Sequence, residues 1–273
     1  MSFHLIEPVP TLGEQLRRRD RTLFGMWSCS GSPLVAEICA GSGLDIVLID
    51  GEHSPITLES ILAQLQAIAV YPIIPLVRVP AGDDVLIKQV LDLGAQNILV
   101  PMVNQASEAE AMVRAVRYPP LGVRGVGSAL ARSSRWNRIP QYLARAASLV
   151  SLTVQIETAE AVRAAEDIAS VEGVDALLVG PADLAASMGL LGEQDHPDVI
   201  RAVESVLAAG NAHGVPVGVN AFDAALAQRY AASGAAFVLV GADVTLLARG
   251  SEALAQRFIG SGGDTERDER SSR

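Results

Sequence analysis

Lysine is almost missing from this chain of 273 residues: Lys88 is the only one. It stands mid-way along a helical stretch, Asp83 to Leu93, on a solvated face. Chemistry that needs a lysine amine at a strand end is therefore excluded. Cysteine is scarce too. Cys29 and Cys39 are the only two, which excludes a disulfide framework and a cysteine-built metal centre, and both read as small apolar residues. No apolar run reaches the roughly 18 residues of a membrane-crossing helix. Aromatic residues make up 4%, the formal net charge is -10, and no basic stripe occurs, which argues against a nucleic-acid partner. The first residues, MSFHLIEPVP, lack the basic-then-apolar order of a signal peptide. The expectation is a soluble cytoplasmic protein with no membrane contact.

What is present is an apolar, alternating chain, 49% hydrophobic with a mean hydropathy of +0.30. Short apolar runs punctuated by Gly and Pro read as strands buried on both faces. They fall at Leu23–Cys29, Asp45–Asp50, Ile73–Arg78, Asn97–Val100, Leu149–Ile156, Val174–Val179, Pro216–Val219 and Ala236–Val240. Helical spacing appears at 12–21, after Ser32-Pro33, from Thr57, and over Asp83–Leu93, Ala106–Arg117, Ala159–Ser170, Pro197–Ala212 and Asp223–Ser233, with a last helix ending near Phe258. One long irregular segment, 118–139, breaks the rhythm with Pro119-Pro120 and several Gly and Arg. Eight strands alternating with helices predict an α/β fold, a single (β/α)8 TIM-type barrel over residues 1–259. The tail 260–273, rich in Gly, Ser and charge, predicts disorder. An open doubly wound sheet is the other option, but no Gly-rich dinucleotide turn follows an early strand.

In such a barrel, chemistry sits at the strand C-termini. Polar residues collect there. The second strand runs Val47-Leu48-Ile49-Asp50 and continues into Gly51-Glu52-His53; the third ends at Arg78; the fifth at Gln155-Ile156-Glu157; the sixth leads into Asp183. Glu157 and Asp183 are hard oxygen donors on neighbouring strands. With one His nearby and no Cys, they suit a six-coordinate Mg²⁺ or Mn²⁺ with open positions. Arg78 offers a fork of donors to a carboxylate or a developing oxyanion. The backbone N–H groups of Ala182 and Asp183 suit an anion at a helix start. An imidazole such as that of His53 can act as a general base near neutral pH. Together the set suggests enolate formation from a 2-oxo acid, with a metal as the Lewis acid because no lysine can activate the carbonyl.

These stretches resemble the metal-dependent HpcH/HpaI aldolase family. The resemblance rests on Leu48-Ile49-Asp50-Gly51-Glu52-His53, Leu76-Val77-Arg78-Val79-Pro80, Leu91-Asp92-Leu93-Gly94-Ala95 and Arg117-Tyr118-Pro119-Pro120. It continues through Gly122-Val123-Arg124-Gly125-Val126-Gly127, Gln155-Ile156-Glu157-Thr158 and Gly180-Pro181-Ala182-Asp183-Leu184. The resemblance implies His53 as catalytic base, oriented or polarised by Asp50, and Arg78 as the stabiliser of the enolate oxygen. It implies Glu157 and Asp183 as metal ligands, Gln155 and Ala182 against the pyruvate portion, and Asp92 reaching a neighbouring subunit's site. The ion would be Mg²⁺ or Mn²⁺, with Co²⁺ and Zn²⁺ as further options. The substrates would be a small 2-oxo acid and an aldehyde, as in the cleavage of 4-hydroxy-2-oxoheptanedioate to pyruvate and succinic semialdehyde. The assembly implied is a homohexamer, a trimer of dimers, often with an exchanged terminal helix.

One position departs from the family pattern: Asn220 stands where an aliphatic residue is common, and is expected to meet a hydroxyl or carbonyl of the substrate. This leaves open a hydroxypyruvate donor. A CoA-thioester lyase of the citrate-lyase β type and a non-catalytic 2-oxo-acid-binding barrel are the remaining alternatives. Trp27 reads equally as pocket wall or core, and Arg124 as a contact to a distal carboxylate or to another subunit. His4, His196 and His213 have no supporting constellation and read as surface groups.

Overall fold

The computed structural model describes residues 7–259. The tail predicted to be disordered, 260–273, and His4 lie outside the described residues. Eight parallel strands close on themselves in chain order: β1 (Leu23–Ser28), β2 (Ile46–Asp50), β3 (Ile74–Arg78), β4 (Asn97–Val100), β5 (Ser151–Ile156), β6 (Ala176–Val179), β7 (Val217–Asn220) and β8 (Phe237–Ala242). The expected barrel is the observed fold.

Strand residues alternate between two apolar layers because a strand's side chains point to opposite faces. Ile46, Leu48, Leu76, Leu99, Leu178, Phe237 and Leu239 fill the barrel lumen. Val47, Ile49, Val77, Ile98, Val154 and Val179 face outward against the helices. Both layers are buried, which is why the strands read as unbroken apolar runs rather than alternating ones.

The short helix Leu12–Arg18 closes the N-terminal end of the barrel. Thr11 and Glu14 form a capping box at its start. Leu12 and Leu16 join the lumen core. The Leu12 N–H donates to Asn97 Oδ1 at 2.7 Å, and the Gly13 N–H donates to Ser151 Oγ at 3.1 Å, tying the helix to the starts of β4 and β5. With that end plugged, the C-terminal mouth is the open one.

Two helical expectations need correction. The stretch Ala159–Ser170 is two helices, Ala159–Arg163 and Ala165–Ala169. At Ala164 the N–H bonds to both Glu160 O and Ala161 O, a tightened turn that an alanine-rich run does not announce. The first helix also stops earlier than Arg21, at Arg18. In the segment 118–139 the only regular element is a single 3₁₀ turn, Arg132–Ser134.

Candidate active site

Asp50 closes β2 and pairs in register with Arg78, the last residue of β3. Both side chains are buried, at 4% and 5% exposed. Asp50 Oδ1 accepts from Arg78 Nε at 2.9 Å and lies 2.8 Å from Nη2. The same carboxylate accepts from the Glu52 N–H at 3.0 Å, the His53 N–H at 3.4 Å and the Ser54 hydroxyl at 3.0 Å. Asp50 therefore folds the 51–54 turn back on itself, as a short acidic side chain at a turn does. Its contact is with the main chain of His53 and not with the ring, so of the two roles expected for Asp50 the geometry favours orienting the loop that carries the imidazole.

Glu52 makes the contact with the ring. Its Oε2 lies 2.7 Å from Arg78 Nη1 and 3.8 Å from His53 Nε2. Burial pushes the Glu52 carboxyl up, with Arg78 and His53 working in the opposite direction. His53 itself is 66% exposed at the rim. Arg78 is thus gripped by two carboxylates on one side. Its guanidinium carbon stacks over the Trp27 ring, 4.5 Å from the centroid, on the other.

Across the mouth, Gln155 and Glu157 come from the end of β5 and are buried. The Met102 N–H donates to Glu157 Oε1 at 2.7 Å, and the Gln155 amide donates to Oε2. Met102 holds this contact from a left-handed backbone, φ 57°. Burial raises the Glu157 carboxyl. The Met102 N–H offsets part of this rise, and the charges of Asp183 and Glu52 add to it. Asp183 lies in the first turn of the helix Pro181–Ser187, exposed beside β6. Pro181 at the helix start has no N–H, so Ala182 and Asp183 supply the first free donors there.

Among the described residues no three of His, Cys, Asp and Glu form a metal cage. Glu157 and Asp183 remain as a pair. A hard divalent ion that keeps several waters is held by one or two carboxylates, so the pair fits such an ion. Gly180 leaves the approach clear: a Cβ there would stand 2.9 Å from Gln155 Nε2 and 3.1 Å from Glu157 Oε2. Gln155 Oε1 is buried with no hydrogen-bond partner, an unfilled acceptor beside the carboxylate.

Asn220 ends β7, and its Oδ1 accepts from Trp27 Nε1 at 2.8 Å. Trp27 is both core and wall, in the lumen cluster by its ring and at the mouth by its edge. Asp92 lies elsewhere. It ends the helix Asp84–Asp92, which runs back from the mouth, and its carboxylate pairs with Arg124 Nη2 at 3.0 Å. Arg124 is fully buried, over the Tyr118 ring at 4.6 Å. Within one chain Asp92 does not join the mouth. His196 caps the helix Pro197–His213, accepting from the Asp198 N–H at 3.1 Å.

Sequence reasoning placed Glu52 at the strand end without giving it a role, and it passed over Met102. The spacing Asp-x-Glu-His carried a signal for the first. Nothing in the sequence marked the second.

A plugged parallel barrel whose open mouth sets an arginine and a histidine against paired carboxylates defines an enzyme built for carbon-acid chemistry. The chain belongs to the HpcH/HpaI aldolase/citrate lyase family, whose profile matches residues 23–250. This family implies a divalent metal cofactor and small-molecule substrates. The chain is 50% identical over 253 residues to the hydroxypyruvate/pyruvate aldolase of Deinococcus radiodurans, covering 93% of this chain and 91% of that one. It is 52% identical over 238 residues to the 4-hydroxy-2-oxo-heptane-1,7-dioate aldolase of Salmonella paratyphi B, covering 87% and 90%. A crystal structure of an HpcH/HpaI aldolase/citrate lyase family protein from Burkholderia cenocepacia superposes with a TM-score of 0.86 at 41% identity, covering 90% of this chain and 98% of that one. No helix among the described residues is long and apolar enough to cross a membrane.

Proposed function

We propose that this chain is a divalent-metal-dependent aldolase that reversibly cleaves 4-hydroxy-2-oxo acids, such as 4-hydroxy-2-oxoheptanedioate, to pyruvate and an aldehyde such as succinic semialdehyde. The observation that carries this reading is Arg78, buried at a strand end and held by Asp50 and Glu52 opposite Glu157 and Asp183.

Glu157 and Asp183 would hold Mg²⁺ or Mn²⁺, which when bound supplies Lewis acidity toward the substrate's keto oxygen. The residues do the rest. Arg78 presents donors where negative charge develops on that oxygen. The N–H groups of Ala182 and Asp183 and the Gln155 side chain orient the 2-oxo acid. In the synthetic direction His53 takes a proton from C3. The electron pair left on C3, delocalised as an enolate, forms the C–C bond to the aldehyde carbon, whose oxygen gains a proton. In cleavage the C4 hydroxyl gives up its proton, the C3–C4 pair returns to the enolate, and C3 is reprotonated. Asp92, remote from its own mouth, serves a neighbouring subunit's site in a homohexamer. The enzyme works in the cytoplasm.

Deuterium exchange into the pyruvate methyl group, followed by NMR with Mg²⁺ or Mn²⁺ and then with chelator, tests the reading without an aldehyde. Metal-dependent exchange supports it; no exchange from pyruvate or hydroxypyruvate sinks it. A hydroxypyruvate donor is the second reading, favoured by the amide of Asn220 at the mouth and by the Deinococcus relative.

A further inference from the structure

We propose that Asn220 determines substrate specificity by donating its Nδ2–H to a substrate oxygen beside the carbon–carbon bond being made or broken, and that Trp27 is the positioning residue that aims it. The inference deepens the aldolase reading and rests on it. An indole nitrogen can only donate a hydrogen bond. The 2.8 Å contact from Trp27 Nε1 therefore fixes the Asn220 amide with its oxygen toward the ring. The Nδ2 group must point the other way. Among the described residues it has no acceptor.

The same indole carries Arg78 on its face. Trp27 is buried, at the end of β1, and is held in the lumen core. One indole thus contacts both the guanidinium that faces the enolate oxygen, through its ring face, and the amide donor, through its N–H. The carboxylates of the mouth do not supply the missing acceptor: Asp50 and Glu52 are taken up by Arg78, Glu157 by Met102 and Gln155, and Asp183 accepts no hydrogen bond from Asn220. A substrate with hydrogen or methyl at that place leaves the amide unpaired, whereas a hydroxyl or carbonyl oxygen satisfies it. A site built to hydrogen-bond such an oxygen discriminates against the analogue that lacks it. The oxygen can come from the nucleophile, as the C3 hydroxyl of hydroxypyruvate, or from the acceptor, as the hydroxyl of glycolaldehyde.

The test is a set of kcat/KM ratios. The first compares hydroxypyruvate with pyruvate at a fixed aldehyde, the second glycolaldehyde with propanal at a fixed nucleophile. They are measured in wild type, Asn220→Asp, Asn220→Leu and Trp27→Phe. Asn220→Asp keeps an acceptor for the indole and the side-chain size but cannot donate. It should lower one of the two ratios about tenfold, the loss of one hydrogen bond. Asn220→Leu should do the same. Trp27→Phe keeps a ring under Arg78 and frees the amide, so it should lower the same ratio several-fold. The ratio that falls identifies the source of the oxygen. If both ratios hold in Asn220→Asp, or if Trp27→Phe leaves unchanged a ratio that both Asn220 variants lower, the proposal is overturned. Wild-type pyruvate exchange separates the two failures. Exchange with unmoved ratios defeats the specificity role alone; no exchange from either 2-oxo acid defeats the aldolase reading.

Discussion

Asp50 and Arg78 meet at the ends of adjacent strands, with one carboxylate oxygen 2.9 Å from Nε and 2.8 Å from Nη2. Both are nearly out of solvent. Removing one member of a buried ion pair leaves the other charge unpaired and destabilises by about 3–5 kcal/mol. Asp50→Ala should therefore shift the urea midpoint strongly and also lower kcat, because it frees both Arg78 and the turn that carries His53. Asp50→Asn keeps an acceptor for the turn and should lose less stability. Equal, small losses in both variants would remove Asp50 from the positioning role.

His53 contributes little to packing, being mostly exposed, so its replacement separates chemistry from folding. His53→Ala should slow pyruvate methyl exchange by roughly 10²–10⁴-fold, the range of a general base. Its unfolding midpoint and its Mn²⁺ affinity should stay at the wild-type values. Loss of Mn²⁺ binding in this variant would move His53 from base to ligand.

The barrel could be read from the sequence because a strand buried on both faces leaves a plain signal: a run such as Ile46–Ile49 or Leu177–Val179, closed by Gly, Pro or a charge. The strand-end residues followed from the fold, since parallel strands share one mouth. Contacts made across the barrel left no such trace. The bond between Trp27 and Asn220 joins residues 193 apart in the chain. Met102 meets Glu157 through its main chain, which no side-chain pattern reports. The break at Ala164 falls in a run of good helix formers without Gly or Pro, and the terminal residue of β7, Asn220, reads as loop because it is polar.

In the proposed reading Glu157 is a metal ligand, and Gln155, which donates to its carboxylate, is the group that orients it. Asp183→Ala and Glu157→Gln should each abolish metal-dependent exchange and weaken Mn²⁺ binding by more than the roughly 10–100-fold that follows loss of an outer partner. Gln155→Ala should fall within that 10–100-fold range. Isothermal titration with Mn²⁺ reads all three. Chelation of the wild-type enzyme should stop exchange, and added Mg²⁺ or Mn²⁺ should restore it. Exchange that survives both Asp183→Ala and chelator would remove the metal from the reaction.

Tyr230 buries its hydroxyl with no partner among the described residues, and burial pushes that hydroxyl up to about 12 from its ordinary 10. Cys29 is likewise pushed up by burial to about 11 from 9.0. Unfolded chains lose these protons near 9 and 10, while the folded chain keeps them to about 11 and 12. Between those values the unfolded state binds fewer protons, so stability falls as pH rises. It is fully present below about pH 9 and declines toward pH 12, with Cys29 contributing first. The urea midpoint should therefore be flat near neutral pH and drop above about pH 9. Tyr230→Phe removes only part of the upper drop, because burial also pushes the Tyr118 hydroxyl up to about 12. It also removes an unsatisfied buried polar atom, so its unfolding free energy at pH 8 should equal or exceed wild type by up to about 1 kcal/mol. A Tyr230→Phe enzyme that is less stable at pH 8, with an unchanged alkaline drop, would mean that the hydroxyl finds a partner in solution.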